Sequence, residues 1–344
     1  MLQKPKKLQA GDQIVTASLS SGMAGEEEYL ARYLRGKSRL ERIFGLKVTE
    51  LPHTLKGEEY VYRNPEVRAR ELAEAFTDES VKGIFSCIGG DESMRMIPYI
   101  DYEAIRNNPK IFLGYSDSTI THLICYKAGI MSFYGPSILS GFAENGALFP
   151  YMEKWVRKAL FTSEPIGEVE SPAEWTSEYI PWEAGHEERT RKMLPNHGYE
   201  VLQGTGIKRG RLLGGCMEVL EMAKGTEIWP AKAEWEGKLI FFETSEEKTV
   251  PEQIKRWLRN YGAQGILRNA AGILFSKPYD EQYYEEYKEI ILQVVRDELG
   301  LFHLPIFYNM SFGHTDPMSI MPYGALAEID CEQKTFRIVE SGVC

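Results

Sequence analysis

At 344 residues, the chain exceeds the size at which a single hydrophobic core usually stops growing, and two domains are expected. Hydrophobic residues at 43% and charged residues at 26% are the balance of an ordinary globular protein. A net charge of −10 argues against a nucleic-acid polymer as partner, while leaving room for a locally basic pocket that takes a small anion.

Residues 1–7 are basic, but no apolar run follows them, so no signal peptide is expected. No stretch of about 18 apolar residues offers a membrane span. The five cysteines (Cys87, Cys125, Cys216, Cys331 and Cys344) are odd in number and form no CxxC pair. They read as reduced thiols of a cytoplasmic protein without a zinc knuckle.

The first half alternates strands and helices. Residues 12–17 (DQIVTA) suit a buried strand, and 47–51 a second. Asn64-Pro65 opens a helix: Asn64 caps it, Pro65 fits its first turn, and Val67, Leu72, Ala75 and Phe76 share one face. Residues 83–88 (GIFSCI) form a buried strand ending in Gly89-Gly90. Residues 111–114 form another, followed by Ser116 and a helix over 119–128; 131–134 is a further strand. This alternation predicts a doubly wound parallel sheet of the α/β class, whose ligands bind at the carboxyl ends of strands. Gly89-Gly90 and Ser116 both fall there.

Residues 166–204 break the pattern. They are polar, contain Pro172, Pro181 and Pro195, and read as a linker or long loop, yet Trp175, Tyr179, Trp182 and Tyr199 make them unusually aromatic. A second alternating segment follows. Residues 209–213 lead into Gly214-Gly215 and a helix over 217–223. Then come a strand at 238–243 (KLIFFE), a helix at 251–261, a strand at 271–275 and a long helix at 280–298. A strand at 305–309 leads to His314, and short strands at 325–329 and 335–339 finish the chain.

Gly114-Tyr115-Ser116-Asp117-Ser118 has the form of a nucleophile turn between strand and helix, which needs small residues two before and two after the nucleophile. Such a turn exposes the Ser116 hydroxyl at a helix N-terminus, where backbone N–H groups favour developing negative charge. The same spacing also suits a serine that only caps the helix. Of six histidines, His314 lies just beyond a buried strand, where functional loops sit. It could equally be a loop histidine fixed by Asp316. His122 is on the helix after Ser116 and points away; His53, His186 and His197 lie in polar stretches, and His303 precedes a strand. Glu243 ends an apolar strand and needs a partner for its carboxylate, whereas Glu246 and Glu247 are expected to face solvent or begin the next helix. The order Ser, Glu, His is a known triad order. Gly89-Gly90 is either a tight turn or a close approach that lets the Gly90 and Asp117 N–H groups form an oxyanion hole. Cys87, at a strand end, is an alternative nucleophile without an obvious histidine partner.

Taken together, these residues resemble the LD-carboxypeptidase serine peptidases, and more closely their branch that contains the microcin C immunity proteins. The resemblance runs nearly end to end. It rests on Gly11-Asp12, SCIGGDES at 86–93, GYSDS at 114–118, Phe133-Tyr134-Gly135-Pro136, GRLLGG at 210–215, FFET at 241–244, GHTDP at 313–317 and Pro322-Tyr323-Gly324. It implies Ser116 as nucleophile, Glu243 as orienting acid, His314 as base, and Gly90 and Asp117 as oxyanion donors. It further implies an N-terminal α/β domain (1–165), a linker or substrate loop (166–205) and a C-terminal α/β domain (206–344), with the active site at their interface. A homodimer is implied, and no metal or cofactor. In the immunity branch the aromatic insert helps hold a nucleotide, which points to Trp175 and Trp182. Where the family usually has Asn after GRLLGG, this chain has Cys216, a weak hydrogen-bonder, which puts the usual substrate contact there in doubt.

The function implied is amide hydrolysis through an acyl-enzyme. The substrate would be a peptidyl- or aminoacyl-nucleotide of the microcin C type, cleaved for self-protection. The alternative is a murein tetrapeptide that loses its terminal D-alanine.

Overall fold

A computed structural model describes residues 1–182 and 185–344; Glu183 and Ala184, within the expected substrate loop, lie outside the described residues. Sixteen strands appear among those described, and most fall into two sheets. In chain order, β1 is Gln13–Ala17, β2 Lys47–Glu50, β3 Val81–Ser86, β4 Ile111–Gly114 and β5 Phe133–Tyr134. Next are β6 Gly167–Glu168, β7 Glu174–Trp175, β8 Leu194–Pro195, β9 Glu200–Gln203 and β10 Ile207–Cys216. The last are β11 Lys238–Glu243, β12 Gly272–Ser276, β13 Ile306–Met310, β14 Met321–Pro322, β15 Leu326–Asp330 and β16 Thr335–Ile338.

The first sheet has the order β14-β5-β4-β3-β1-β2 and is parallel except where β14 joins its edge. The second has the order β6-β16-β15-β10-β11-β12-β13-β9, with β10 to β13 parallel and antiparallel strands outside them. The central strands read as unbroken apolar runs because helices cover both faces; β4, β12 and β13 are buried at every residue. Each parallel run ends at its carboxyl edge in a segment that matters below: β3 in Gly89-Gly90, β4 in Ser116, β11 in Glu243 and β13 in the loop to His314.

Several expectations change. Residues 166–204 are more than a linker: β6 and β9 border the second sheet, and β7 pairs with β8. Strands two residues long leave no period to read. Asn64 does not cap its helix; its amide donates back to the Tyr60 carbonyl at 2.8 Å. The expected helix at 280–298 is broken. Tyr283 sits at φ 61°, the α-helix runs Tyr284–Leu292, and a wider π turn covers Gln293–Glu298. Two helices, Glu27–Phe44 and Pro150–Leu160, were not anticipated. Among the described residues no helix is long and apolar enough to cross a membrane.

Candidate active site

At the end of β4 the chain turns sharply, and Ser116 adopts φ 61°, a left-handed conformation that costs energy for a residue with a side chain. The turn is tight because of its neighbours. A Cβ added at Gly114 would lie 2.6 Å from Ser118 Oγ and 2.8 Å from Ser86 Cβ. Small residues two before and two after Ser116 are therefore a steric requirement. The helix Thr119–Ala128 starts immediately afterwards.

His314 Nε2 lies 3.1 Å from Ser116 Oγ, and His314 Nδ1 lies 2.6 Å from Glu243 Oε2. Three side chains separated by 71 and 198 positions in sequence thus form one hydrogen-bonded line. Such a line can pass the hydroxyl proton to the imidazole while the carboxylate fixes the ring. Glu243 is buried at the end of β11, and its second oxygen accepts the Tyr134 hydroxyl. The Tyr134 oxygen in turn accepts the Ser116 N–H at 3.0 Å. Burial, then the Glu243 charge, holds the Tyr134 phenol far above its ordinary pKa, so it stays a donor toward that carboxylate. For His314 burial opposes the charged form, but Glu243, followed by Glu246 and Glu218, outweighs it and raises the imidazole to about 9.

Gly89 faces the hydroxyl directly: a Cβ there would fall 2.7 Å from both Oγ and Cβ of Ser116. Only glycine allows this approach. Asp117 is buried, and its Oδ2 accepts the Ser93 N–H at 3.0 Å while Ser93 Oγ donates to the Asp117 carbonyl at 3.1 Å. This pair ties the segment after Gly89-Gly90 to the Ser116 turn. Burial raises the Asp117 carboxyl to about 6, against the hydrogen bonding from Ser93.

Ser116 and His314 open onto a cavity of about 350 Å³, which Gly89, Gly90 and Trp182 also line. That is within the range of small-ligand sites. Trp182 is half-buried, with the Arg32 guanidinium 4.3 Å from its ring centre. Arg191 bridges Glu144 and Asp316, the latter at 2.7 Å, and Thr176 exchanges backbone hydrogen bonds with Asp316 at 2.7 and 2.9 Å. The aromatic segment is thereby laced to the loop that carries His314. Asp316, a candidate for fixing His314, is engaged with Arg191 instead.

Two expected substrate residues do not reach the cavity. Trp175 is 4% exposed and packs under Lys277, whose Nζ is 4.2 Å from the ring centre. Cys216 is 1% exposed, in register with Glu243 across β10 and β11, and its Sγ donates to Glu218 at 3.2 Å. Burial, then the Glu243 and Glu218 charges, holds its thiol well above the ordinary range, so it is no ready nucleophile. Cys87 is wholly buried and pushed up to about 12 by that burial, which removes it as an alternative. His122 is buried and bonded to Ser132 and the Gly114 carbonyl, which accounts for its pointing away. Sequence reasoning missed Tyr134, although it stands within Phe133-Tyr134-Gly135-Pro136. It also missed Glu246, which is exposed as expected yet lies 3.1 Å from His314 Nε2.

The N-terminal and C-terminal domain models of LD-carboxypeptidase match residues 14–135 and 209–329. A solved MccF-like protein from Streptococcus pneumoniae, in complex with AMP, superposes with a TM-score of 0.89 at 33% identity, over 96% of this chain and 99% of that one. The microcin C7 self-immunity protein MccF of Escherichia coli is 28% identical over 90% of this chain and 88% of its own length. Its complex with aspartyl sulfamoyl adenosine superposes with a TM-score of 0.85 at 26% identity, over 99% of this chain and 100% of that one. A protein of Bacillus subtilis named "Probable murein peptide carboxypeptidase" is 29% identical over 99% of this chain and 95% of its own.

Proposed function

The chain belongs to the LD-carboxypeptidase family of serine peptidases, and from that membership we propose that it hydrolyses an amide bond through an acyl-enzyme on Ser116. His314 takes the hydroxyl proton as Oγ attacks the carbonyl carbon, and Glu243 holds the ring so that Nε2 is the acceptor. The Gly90 and Asp117 N–H groups receive the carbonyl oxygen as it gains charge. His314 then gives its proton to the leaving nitrogen, the amine departs, and water releases the acyl group by the same steps. The observation that carries this reading is the 2.6 Å and 3.1 Å line through His314 at the mouth of the cavity.

The substrate we propose is a peptidyl- or aminoacyl-nucleotide, so that hydrolysis destroys it. Trp182 supports this, since it is the tryptophan that faces the cavity; the AMP and aspartyl sulfamoyl adenosine complexes of relatives point the same way. The Bacillus subtilis relative favours a second reading, release of D-alanine from a murein tetrapeptide. Incubation with both substrate types and identification of the products by mass separates the two; turnover of the tetrapeptide alone overturns the nucleotide reading.

Trp182→Ala should lower kcat/KM on an aminoacyl-nucleotide by roughly 5- to 100-fold, the arithmetic of about 1–3 kcal/mol of base stacking. The melting temperature should change little, because the ring is only half-buried. Early melting together with equal losses on nucleotide and murein substrates would assign Trp182 to pinning the loop.

The acid limb of kcat/KM should lie high. His314 must be neutral to act as base, and it is raised to about 9. Each pH unit below that value leaves about tenfold less neutral imidazole. Activity should therefore climb steeply between about pH 6 and 8 and level off above about 9. A profile flat across neutral pH contradicts this arrangement.

A further inference from the structure

The two N–H groups of the oxyanion hole come from different loops, so their spacing has to be set by contacts between those loops. The Asp117 N–H is placed by the Ser116 turn itself. Gly90 lies on the stretch that follows β3. Its φ of 143°, and the 2.5 Å that would separate an added Cβ from the Ser20 carbonyl oxygen, leave only glycine there. One side of this stretch is bonded away from the nucleophile. The Glu92 N–H donates to the Ser20 carbonyl at 3.1 Å. Buried Arg68 donates from one nitrogen to the Leu19 carbonyl and, at 3.1 Å, to the Glu92 carbonyl. These bonds hold Gly90 to residues 19–21 and leave its distance from the Ser116 turn open.

The Asp117 side chain closes that gap. Ser93 opens a short 3₁₀ helix, Ser93–Tyr99, and Glu92 before it gives no side-chain cap. Its first N–H would be an orphan donor. Asp117 Oδ2 accepts it at 3.0 Å from 24 positions away, and Ser93 Oγ donates back to the Asp117 carbonyl at 3.1 Å. Both side chains are fully buried, so water does not compete for either bond. The other oxygen, Oδ1, makes no hydrogen bond among the described residues. The carboxylate is therefore committed to the one bond that joins the Gly90 stretch to the nucleophile turn.

We propose that the Asp117 side chain is the positioning residue of the oxyanion hole. Its backbone N–H is one donor, and its carboxylate, through Ser93, fixes where the Gly90 N–H stands as the other. Without that bond the stretch 90–93 is free to follow its contacts to residues 19–21, and the Gly90 donor drifts from the oxygen on which charge develops. The loss falls on the transition state more than on the bound substrate, and so on kcat more than on KM. The inference rests on the acyl-enzyme reading given above and deepens it by naming what holds the two donors in register.

The test is the second-order rate at which a fluorophosphonate labels the protein, a readout that needs no knowledge of the substrate. Ser116 Oγ bonds to phosphorus, fluoride leaves, the hydroxyl proton passes to His314, and the phosphonyl oxygen takes the oxyanion position. Asp117→Ala should slow labelling about 10- to 100-fold, less than the roughly 10²- to 10³-fold cost of removing a donor outright. Asp117→Asn should stay within about threefold of the unaltered protein, because its carboxamide oxygen can still accept the Ser93 N–H and its NH₂ stands where Oδ1 makes no bond. Ser93→Ala keeps the N–H, loses the hydroxyl bond, and should fall about three- to tenfold. On an amide substrate that the protein turns over, the losses should appear in kcat, with KM within about threefold. Circular dichroism and melting of each variant verify that the fold is retained. Asp117→Ala labelled as fast as the unaltered protein, or Asp117→Asn as slow as Asp117→Ala, overturns the positioning role and leaves the acyl-enzyme reading in place. Should Asp117→Ala not fold, an undiminished rate in Ser93→Ala overturns it equally. Failure of the unaltered protein to be labelled at Ser116 overturns both.

Discussion

Ser116→Ala is expected to lower kcat by about 10³-fold or more, with a melting temperature close to that of the unaltered protein. The size of the loss follows from the geometry. The hydroxyl is the proton donor that faces His314 Nε2, and its removal leaves the base without a proton to take and the carbonyl without a nucleophile. The fold should persist because Oγ makes no structural hydrogen bond among the described residues beyond that to His314. Ser116 is held instead through its backbone N–H, which the substitution retains. The residual rate reflects the oxyanion donors and binding alone. A fluorophosphonate probe should label the unaltered protein and not the variant. Turnover near that of the unaltered enzyme, with pure variant protein, removes Ser116 as nucleophile.

How much of this was legible beforehand depended on the range of the forces involved. Central strands were readable because burial on both faces demands continuous apolar runs, as in 83–88 and 238–243. The Ser116 turn was readable because its steric demand acts within two residues. The helix Glu27–Phe44 was not. Its buried positions include Arg32 and Gly36, which interrupt an apolar stripe. Arg32 can be buried because Leu139 O and Asn145 Oδ1, more than 100 positions away, both accept from it at 2.7 Å. Gly36 is there because a Cβ would come within 2.7 Å of the Ile138 carbonyl. The same holds in the site. Trp175 and Trp182 look alike in sequence, yet the first packs beneath Lys277 and the second faces the cavity, a difference made by β7 pairing with β8. Nor does anything near Tyr134 announce a carboxylate 109 positions on.

That tyrosine decides what should happen when Glu243 becomes Gln. Glu243→Gln is expected to lower kcat by roughly 10²- to 10⁴-fold, the range seen when an orienting acid loses its charge but keeps its shape. The reason is one of hydrogen-bond direction. The Tyr134 oxygen accepts the Ser116 N–H, so its own hydroxyl hydrogen must go to the carboxylate side. A glutamine there must therefore turn its carbonyl oxygen toward Tyr134 and its NH₂ toward His314 Nδ1. Nδ1 then has to be the acceptor, which puts the imidazole proton on Nε2, facing Ser116. In that tautomer His314 cannot take the hydroxyl proton. Tyr134→Phe removes the constraint and lets the glutamine flip, so Glu243→Gln with Tyr134→Phe should recover about tenfold or more over Glu243→Gln alone. Tyr134→Phe by itself should only lower activity, because the Ser116 N–H loses its acceptor. A double variant no more active than Glu243→Gln would show that the tautomer is not what Tyr134 controls. If Glu246→Gln or Glu247→Gln abolished kcat while Glu243→Gln left it intact, Glu243 would not be the orienting acid.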